Sequence, residues 1–184
     1  MKVFFVTRNK GKLTEAKFIL GKHGIEVIPL NIEKLEIQHE DIETIAMYSI
    51  KSIKGEKDPI FIEDDALYIG ALSGFPGPYA SYVYKTLGLN GVLKLLEGVK
   101  DRSAYFKSVV ALKKEGTIHV FTGVIEGRIS ENIRGEQGFG FDPIFIPEGY
   151  NITFAEMGLE EKCNISHRAK ALKKLATWLK NHKS

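Results

Sequence analysis

A chain of 184 residues, 43% hydrophobic and 27% charged, has the size and composition of a soluble globular protein with one sizeable core. Its net charge of +3 favours anions mildly, but Lys and Glu are interspersed with no run of five like charges, which argues against a nucleic-acid coat. The single cysteine, Cys163, excludes an intrachain disulfide framework and a cysteine-based zinc site, and no stretch approaches the apolar length of a membrane span.

In chain order, residues 3–6 form an apolar strand, followed by the polar turn TRNKGK (7–12) and a helix whose face carries Leu13, Ala16, Lys17 and Leu20. A second short strand covers 26–30, an acidic connection 31–40, and a helical pattern runs from 41 to about 57 through Ile42, Ala46, Ile50 and Ile53. The stretch PIFIEDDALYIGALSGFPGP (59–78) then places a buried strand at 60–62 directly before Glu63, Asp64 and Asp65. Strand, helix, strand, helix, strand predicts an α/β layer with mixed or parallel pairing. Two short helices are expected at 79–87 and 90–97, a β-hairpin over roughly 103–130 that forms a lobe or extends the sheet, a strand at 144–146, and a C-terminal helix carrying Ala171, Leu172, Leu175 and Leu179. The opening MKVFFV lacks the apolar region and cleavage site of a signal peptide, so a cytoplasmic protein is expected, with no membrane partner.

Three features carry chemistry. Adjacent carboxylates at the end of a strand repel, so a metal ion, distant lysines and arginines, or solvent must compensate them. The GFPGP loop (74–78) keeps backbone close to whatever lies over them. Asn9 suits a helix N-cap, which puts Lys10 and Lys12 in the first turn against the helix dipole; a bound phosphate would reverse that cost, and a solvated helix start is the alternative. Lys162, His167 and Arg168 repeat the inversion around the cap candidates Asn164 and Ser166, so a polyanion between two basic helix starts with magnesium on the acids fits the pattern. In GFGFDP (138–143) one phenylalanine can stack on a base, although Phe139 and Phe141 share a side if the segment is extended, and either can belong to the core. Asp142, before Pro143, is expected outside the helical region and free to aim at a base edge. Cys163 lacks a paired base, and His23, His39, His119 and His182 have no metal-ligand spacing.

Taken in order, TRNKGK (7–12), LEIQ (35–38), EDDAL (63–67), GFPGPY (74–79), GFGFDPIFIPEG (138–149), TFAEM (153–157) and SHRAKAL (166–172) resemble the inosine triphosphate pyrophosphatase family, the Ham1-like non-canonical purine NTP pyrophosphatases. The resemblance implies a single domain over 1–184 with an elongated, two-lobed α/β fold, a mixed central sheet flanked by helices, and a homodimer. It also implies Mg²⁺-dependent hydrolysis of ITP, dITP and XTP to the monophosphate and pyrophosphate, with no nucleic-acid partner. Carried over by residue, it makes Asp64 and Lys12 catalytic and Glu36 and Asp64 the metal acids. Thr7, Asn9 and Lys12 become triphosphate contacts and Lys162 a phosphate or base-side cation. Phe139 and Gly140 become the base-stacking loop, with Asp142, His167 and Arg168 near the 6-oxo edge. The chain departs from the family pattern where Asp65 and Ala66 stand in place of Ser or Thr and Gly. A Maf-like pyrophosphatase of modified pyrimidine nucleotides and a nucleotide sensor without turnover are the competing readings; a panel of nucleoside triphosphates separates all three.

Overall fold

A computed structural model describes residues 1–55 and 57–182. Its elements are β1 (Lys2–Val6), α1 (Lys10–Gly21), β2 (Glu26–Leu30), α2 (Ile42–Ser52), β3 (Ile60–Ile69), β4 (Pro76–Gly77), α3 (Ala80–Thr86), α4 (Gly88–Leu95), β5 (Ser103–Lys114), β6 (Thr117–Ile129), β7 (Phe145–Pro147), α5 (Leu159–Ile165) and α6 (His167–Asn181). They make one mixed sheet of seven strands in the order β2-β1-β3-β5-β6-β7, with β4 on β3. β1 is parallel to β2 and β3, and the rest of the ladder is antiparallel. Among the described residues no helix is long and apolar enough to cross a membrane.

The two faces of the sheet follow from strand alternation. Phe61 of β3 joins Val3, Phe5, Val110 and Leu112 in a core under α1 and α6, while Ile60, Ile62 and Ala66 pack under Ile42, Ala46 and Ile50 of α2. A third cluster, built on Leu67, Phe106, Phe145 and Phe154, fills the end of the sheet beneath α3 and α4. The 103–130 hairpin continues the central sheet: β5 lies against β3 along that strand's whole length, and β6 carries β7.

Two expectations need correction. The strand predicted at 60–62 runs on to Ile69, because β5 pairs with every residue of it, including the acids. Acidic side chains read as a strand end only when their charges have nowhere to go, and here bases from other elements meet them. The helix predicted to about 57 ends at Ser52; Ile53, although buried, is extended, and Glu56 lies outside the described residues.

Candidate active site

β1 ends at Val6, and Phe61 is the last β3 residue paired with it, whereas β4 meets β3 only from Leu67. From Ile62 to Ala66, β3 therefore has a ladder partner on its β5 side alone. This gap lies beyond the carboxyl end of β1, where the sheet changes from parallel to antiparallel, the kind of crevice in which α/β sheets hold ligands. A cleft of about 1720 Å³ opens on it, lined by Thr7, Asn9, Lys12, Lys34, Glu36, Glu63, Asp64, Asp65, Phe139, Gly140, Asp142, His167 and Arg168, among others. Lys162 does not line it.

Alternation along β3 sends the three acids to opposite faces. Glu63 and Asp65 face α1 and α6, where the Lys12 ammonium donates to the Glu63 carbonyl at 3.3 Å and lies 3.0 Å from Glu63 Oε2 and 2.9 Å from Asp65 Oδ1. It thus satisfies one of the edge carbonyls left open by the gap. Burial works against the Lys12 charge, but Asp65 and Glu63 outweigh it and push its pKa up. The turn before it is fixed by Asn9, whose Oδ1 accepts the Lys12 N–H at 3.0 Å as the expected N-cap, and by Thr7 Oγ1, which accepts the Asn9 N–H at 3.1 Å. Lys10 is exposed and does not line the cleft.

Behind Lys12 lies a buried charge network. Arg168, 1% exposed, donates through Nη1 to Glu15 at 2.6 Å and through Nη2 to Asp65, and its Nε lies 3.1 Å from Glu63 Oε1. Lys162 donates to Glu15 at 2.7 Å and to Asp142 at 2.5 Å, and Ser108 donates to Glu63 at 2.6 Å. Burial would raise the Glu15 carboxyl, yet Arg168 and Lys162 hold it down at about 2. Burial lowers Lys162, but Asp142 and Glu15 more than restore its charge, while burial pushes Asp142 up against the pull of Lys162. Lys162 is not at a helix start: it lies in the last turn of α5, whose first turn carries Glu160 and Glu161, so only α6, opening on His167 and Arg168, has the backwards charge, and carboxylates from α1 and β3 meet it. Ser166 caps α6 through the Ala169 N–H at 3.1 Å.

On the other face, Asp64 meets the loop between β2 and α2. The Lys34 ammonium lies 2.7 Å from Asp64 Oδ1 and 2.9 Å from Glu36 Oε1, and Asp64 Oδ2 is buried with no hydrogen-bond partner. Among the described residues no group of three or more His, Cys, Asp or Glu gathers to hold an ion on protein ligands alone. Magnesium is commonly held by one or two carboxylates together with substrate phosphates, and the hard oxygens of Asp64 and Glu36 suit that arrangement.

The glycine-rich turn departs from the extended reading. Gly138 and Gly140 have φ of 75° and 62°, so Phe139 and Phe141 diverge. Phe141 is core, edge-on to Tyr84, whereas the Phe139 ring lies on Gly11, where an added Cβ would sit 2.3 Å from it, with Lys162 and Arg168 4.9 and 5.2 Å from its centre. Asp142 opens a 3₁₀ helix instead of extended backbone, and its Oδ2 accepts the Phe139 N–H at 2.8 Å as well as Lys162, so that oxygen is committed to shaping the turn. His167 stacks on Phe106 with ring centres 4.5 Å apart, and both its ring nitrogens are buried without hydrogen-bond partners. Burial lowers its pKa, which keeps the ring neutral near pH 7. Cys163 is buried and its thiol is pushed up to about 12, chiefly by burial, so it is no nucleophile.

Glu15, Lys34 and Ser108 were not legible as site residues. Glu15 alone carried a signal, an acid on the same helix stripe as Ile19. Lys34 sits in a connection without periodicity, and the role of Ser108 depends on the β3–β5 register.

The Ham1 family model matches residues 3–178. A dITP/XTP pyrophosphatase of Pyrococcus horikoshii is 53% identical over 181 residues, covering 98% of this chain and 97% of the relative. One of Methanopyrus kandleri is 53% identical, covering 99% and 98%. A solved Ham1 protein from Coxiella burnetii superposes with a TM-score of 0.83 at 31% identity, covering 98% of this chain and 99% of the other.

Proposed function

This chain belongs to the Ham1 family, and from that membership we propose that it is a pyrophosphohydrolase of ITP, dITP and XTP that releases the nucleoside monophosphate and pyrophosphate. The observation that carries the reading is the gap in β3, which opens one cleft to Lys12 on one face of the sheet and to Asp64 on the other.

In this reading the triphosphate lies against Thr7, Asn9 and Lys12 at the start of α1, where helix dipole, backbone N–H groups and ammonium all favour an anion. Glu36 and Asp64 would hold Mg²⁺, which supplies charge neutralisation at the phosphates and a lowered pKa for a bound water. Asp64 takes a proton from the attacking water as the water oxygen bonds to the α-phosphorus; the bridging α–β P–O bond breaks, and pyrophosphate leaves with the electron pair. Lys12, kept charged by Glu63 and Asp65, offsets the charge that develops on the leaving group.

The base is read at the other end of the cleft. Phe139 offers a ring beside Gly140, and its position is fixed by Asp142, Lys162 and Gly11. Neutral His167, whose Nε2 lies 3.8 Å from Asp65 Oδ2 and whose ring nitrogens have no hydrogen-bond partner, has an N–H to give to a 6-oxo group, while Arg168, committed to Glu15, Asp65 and Glu63, anchors the start of α6 that carries it. A 6-amino group brings its own donors to that edge, which disfavours adenine.

We also infer a cytoplasmic homodimer. The exposed Tyr82, Leu87 and Leu95 of the α3–α4 region support an interface there, and light scattering tests it. A panel of nucleoside triphosphates, with orthophosphate and pyrophosphate measured separately, tests the activity. The expected result is pyrophosphate from ITP, dITP and XTP far faster than from ATP or modified pyrimidine nucleotides; orthophosphate release, or a preference for the pyrimidines, overturns it.

A further inference from the structure

We propose that Lys34 is a built-in counter-cation for the Glu36–Asp64 carboxylate pair, which a divalent metal must displace to bind. The proposal rests on the reading of Glu36 and Asp64 as the metal acids.

The Lys34 ammonium bridges the two carboxylates at 2.7 and 2.9 Å, and its side chain is 17% exposed. Lys34 and Glu36 are two residues apart in the connection between β2 and α2, and their side chains meet each other over Asp64. The backbone between them is clasped to α2 from two directions: the Leu35 N–H donates to Ser52 Oγ at 3.1 Å, and Ser49 Oγ donates to the Leu35 carbonyl at 2.9 Å. The Leu35 side chain itself is 61% exposed, so these main-chain hydrogen bonds, with Ile32 packed on the core under α2, hold this segment over Asp64. The fixed backbone delivers the lysine head to the acids, while its four-carbon stem leaves the head able to withdraw.

A magnesium ion takes carboxylate oxygens at about 2.1 Å. An ion on the oxygens that Lys34 now holds would face the ammonium at a few ångströms in a partly buried site, where like charges are poorly screened. Both cations cannot share the pair. Lys34 therefore lowers the affinity of the nucleotide-free protein for metal. It also keeps the two carboxylates from repelling each other, and it favours entry of the metal together with a nucleotide, whose phosphates supply further ligands and an anion to receive the freed ammonium.

Titration of the nucleotide-free, full-length protein with Mn²⁺, following free Mn²⁺ by electron paramagnetic resonance, tests this without any turnover. Lys34→Met is expected to tighten binding by roughly ten- to a hundredfold, and Lys34→Gln, which keeps a polar group in the loop, to do the same. Lys34→Arg, which keeps the charge, is expected to stay near wild type. Unchanged or weaker binding in both neutral variants overturns the proposal. Adding Asp64→Asn to Lys34→Met is expected to abolish the gain. A tight site that persists without Asp64 overturns the proposal and moves the metal away from Glu36 and Asp64, whereas a site that needs Asp64 but ignores Lys34 overturns the proposal alone.

Discussion

Asp64 and Asp65 are neighbours in sequence, yet the pleat of β3 gives them different work. Asp65 faces α1 and α6, where Lys12 and Arg168 hold its pKa well below the ordinary carboxylate range despite burial. Asp64 faces α2 and keeps one buried oxygen without a hydrogen-bond partner. A carboxylate tied to two cations is a poor proton acceptor, which is why the proposed mechanism gives the base role to Asp64. We expect Asp64→Asn to lower turnover by roughly 10²–10⁴ with the circular dichroism spectrum and melting curve retained; near-native turnover would remove Asp64 from that role. At the position where the family pattern has Ser or Thr, Asp65 links Lys12 to Arg168 by ion pairs. Which face each acid occupies follows from alternation once the strand is known to continue. Glu15, which joins Asp142 in keeping Lys162 charged and Glu63 in keeping Arg168 charged, comes from another element, and only folding brings it there.

The first three strands, both early helices and the C-terminal helix were legible from hydrophobic period, and Asn9 was legible as a cap from its residue type and place. The continuation of β3 was not, because it depends on β5 supplying a partner about 45 residues downstream and on bases that neutralise the acids. The 138–142 turn was misread because glycine allows both extended and left-handed backbone, and Gly138 and Gly140 take the latter. Close packing of α6 on β6 makes an element-scale prediction. A Cβ at Gly123 of β6 would lie 2.1 Å from the His167 carbonyl and 2.7 Å from the Ala171 nitrogen, in the first turns of α6. Gly123→Ala must push back the helix start that carries His167 and Arg168. We expect a loss of about 1–3 kcal/mol in urea unfolding and a raised KM for ITP; an unchanged midpoint and KM would show that α6 can yield without moving the site.

Across the whole molecule, bases and acids from several elements converge on one cleft and the core behind it, and their pKa shifts make the fold sensitive to acid. Glu15, held down at about 2 from an ordinary 4.5, contributes stability that is full above about pH 4.5 and lost as pH falls towards 2, about 3 kcal/mol in all. His167, lowered by burial from 6.5, adds a contribution of the same sign that fades as pH falls below 6.5. Asp142, raised by burial, opposes them in part. The urea midpoint should therefore fall between pH 7 and pH 3, and Glu15→Gln should flatten that fall; an equally steep fall in the variant would assign acid sensitivity elsewhere. In the proposed function the same convergence gives the cleft its chemistry, with Asp64 as base, Lys12 as leaving-group cation and the Phe139–His167 end as purine reader. Hydrolysis of ITP in ¹⁸O-labelled water tests that chemistry most directly. Attack at the α-phosphorus predicts label in the monophosphate and none in pyrophosphate, whereas label in pyrophosphate would contradict it.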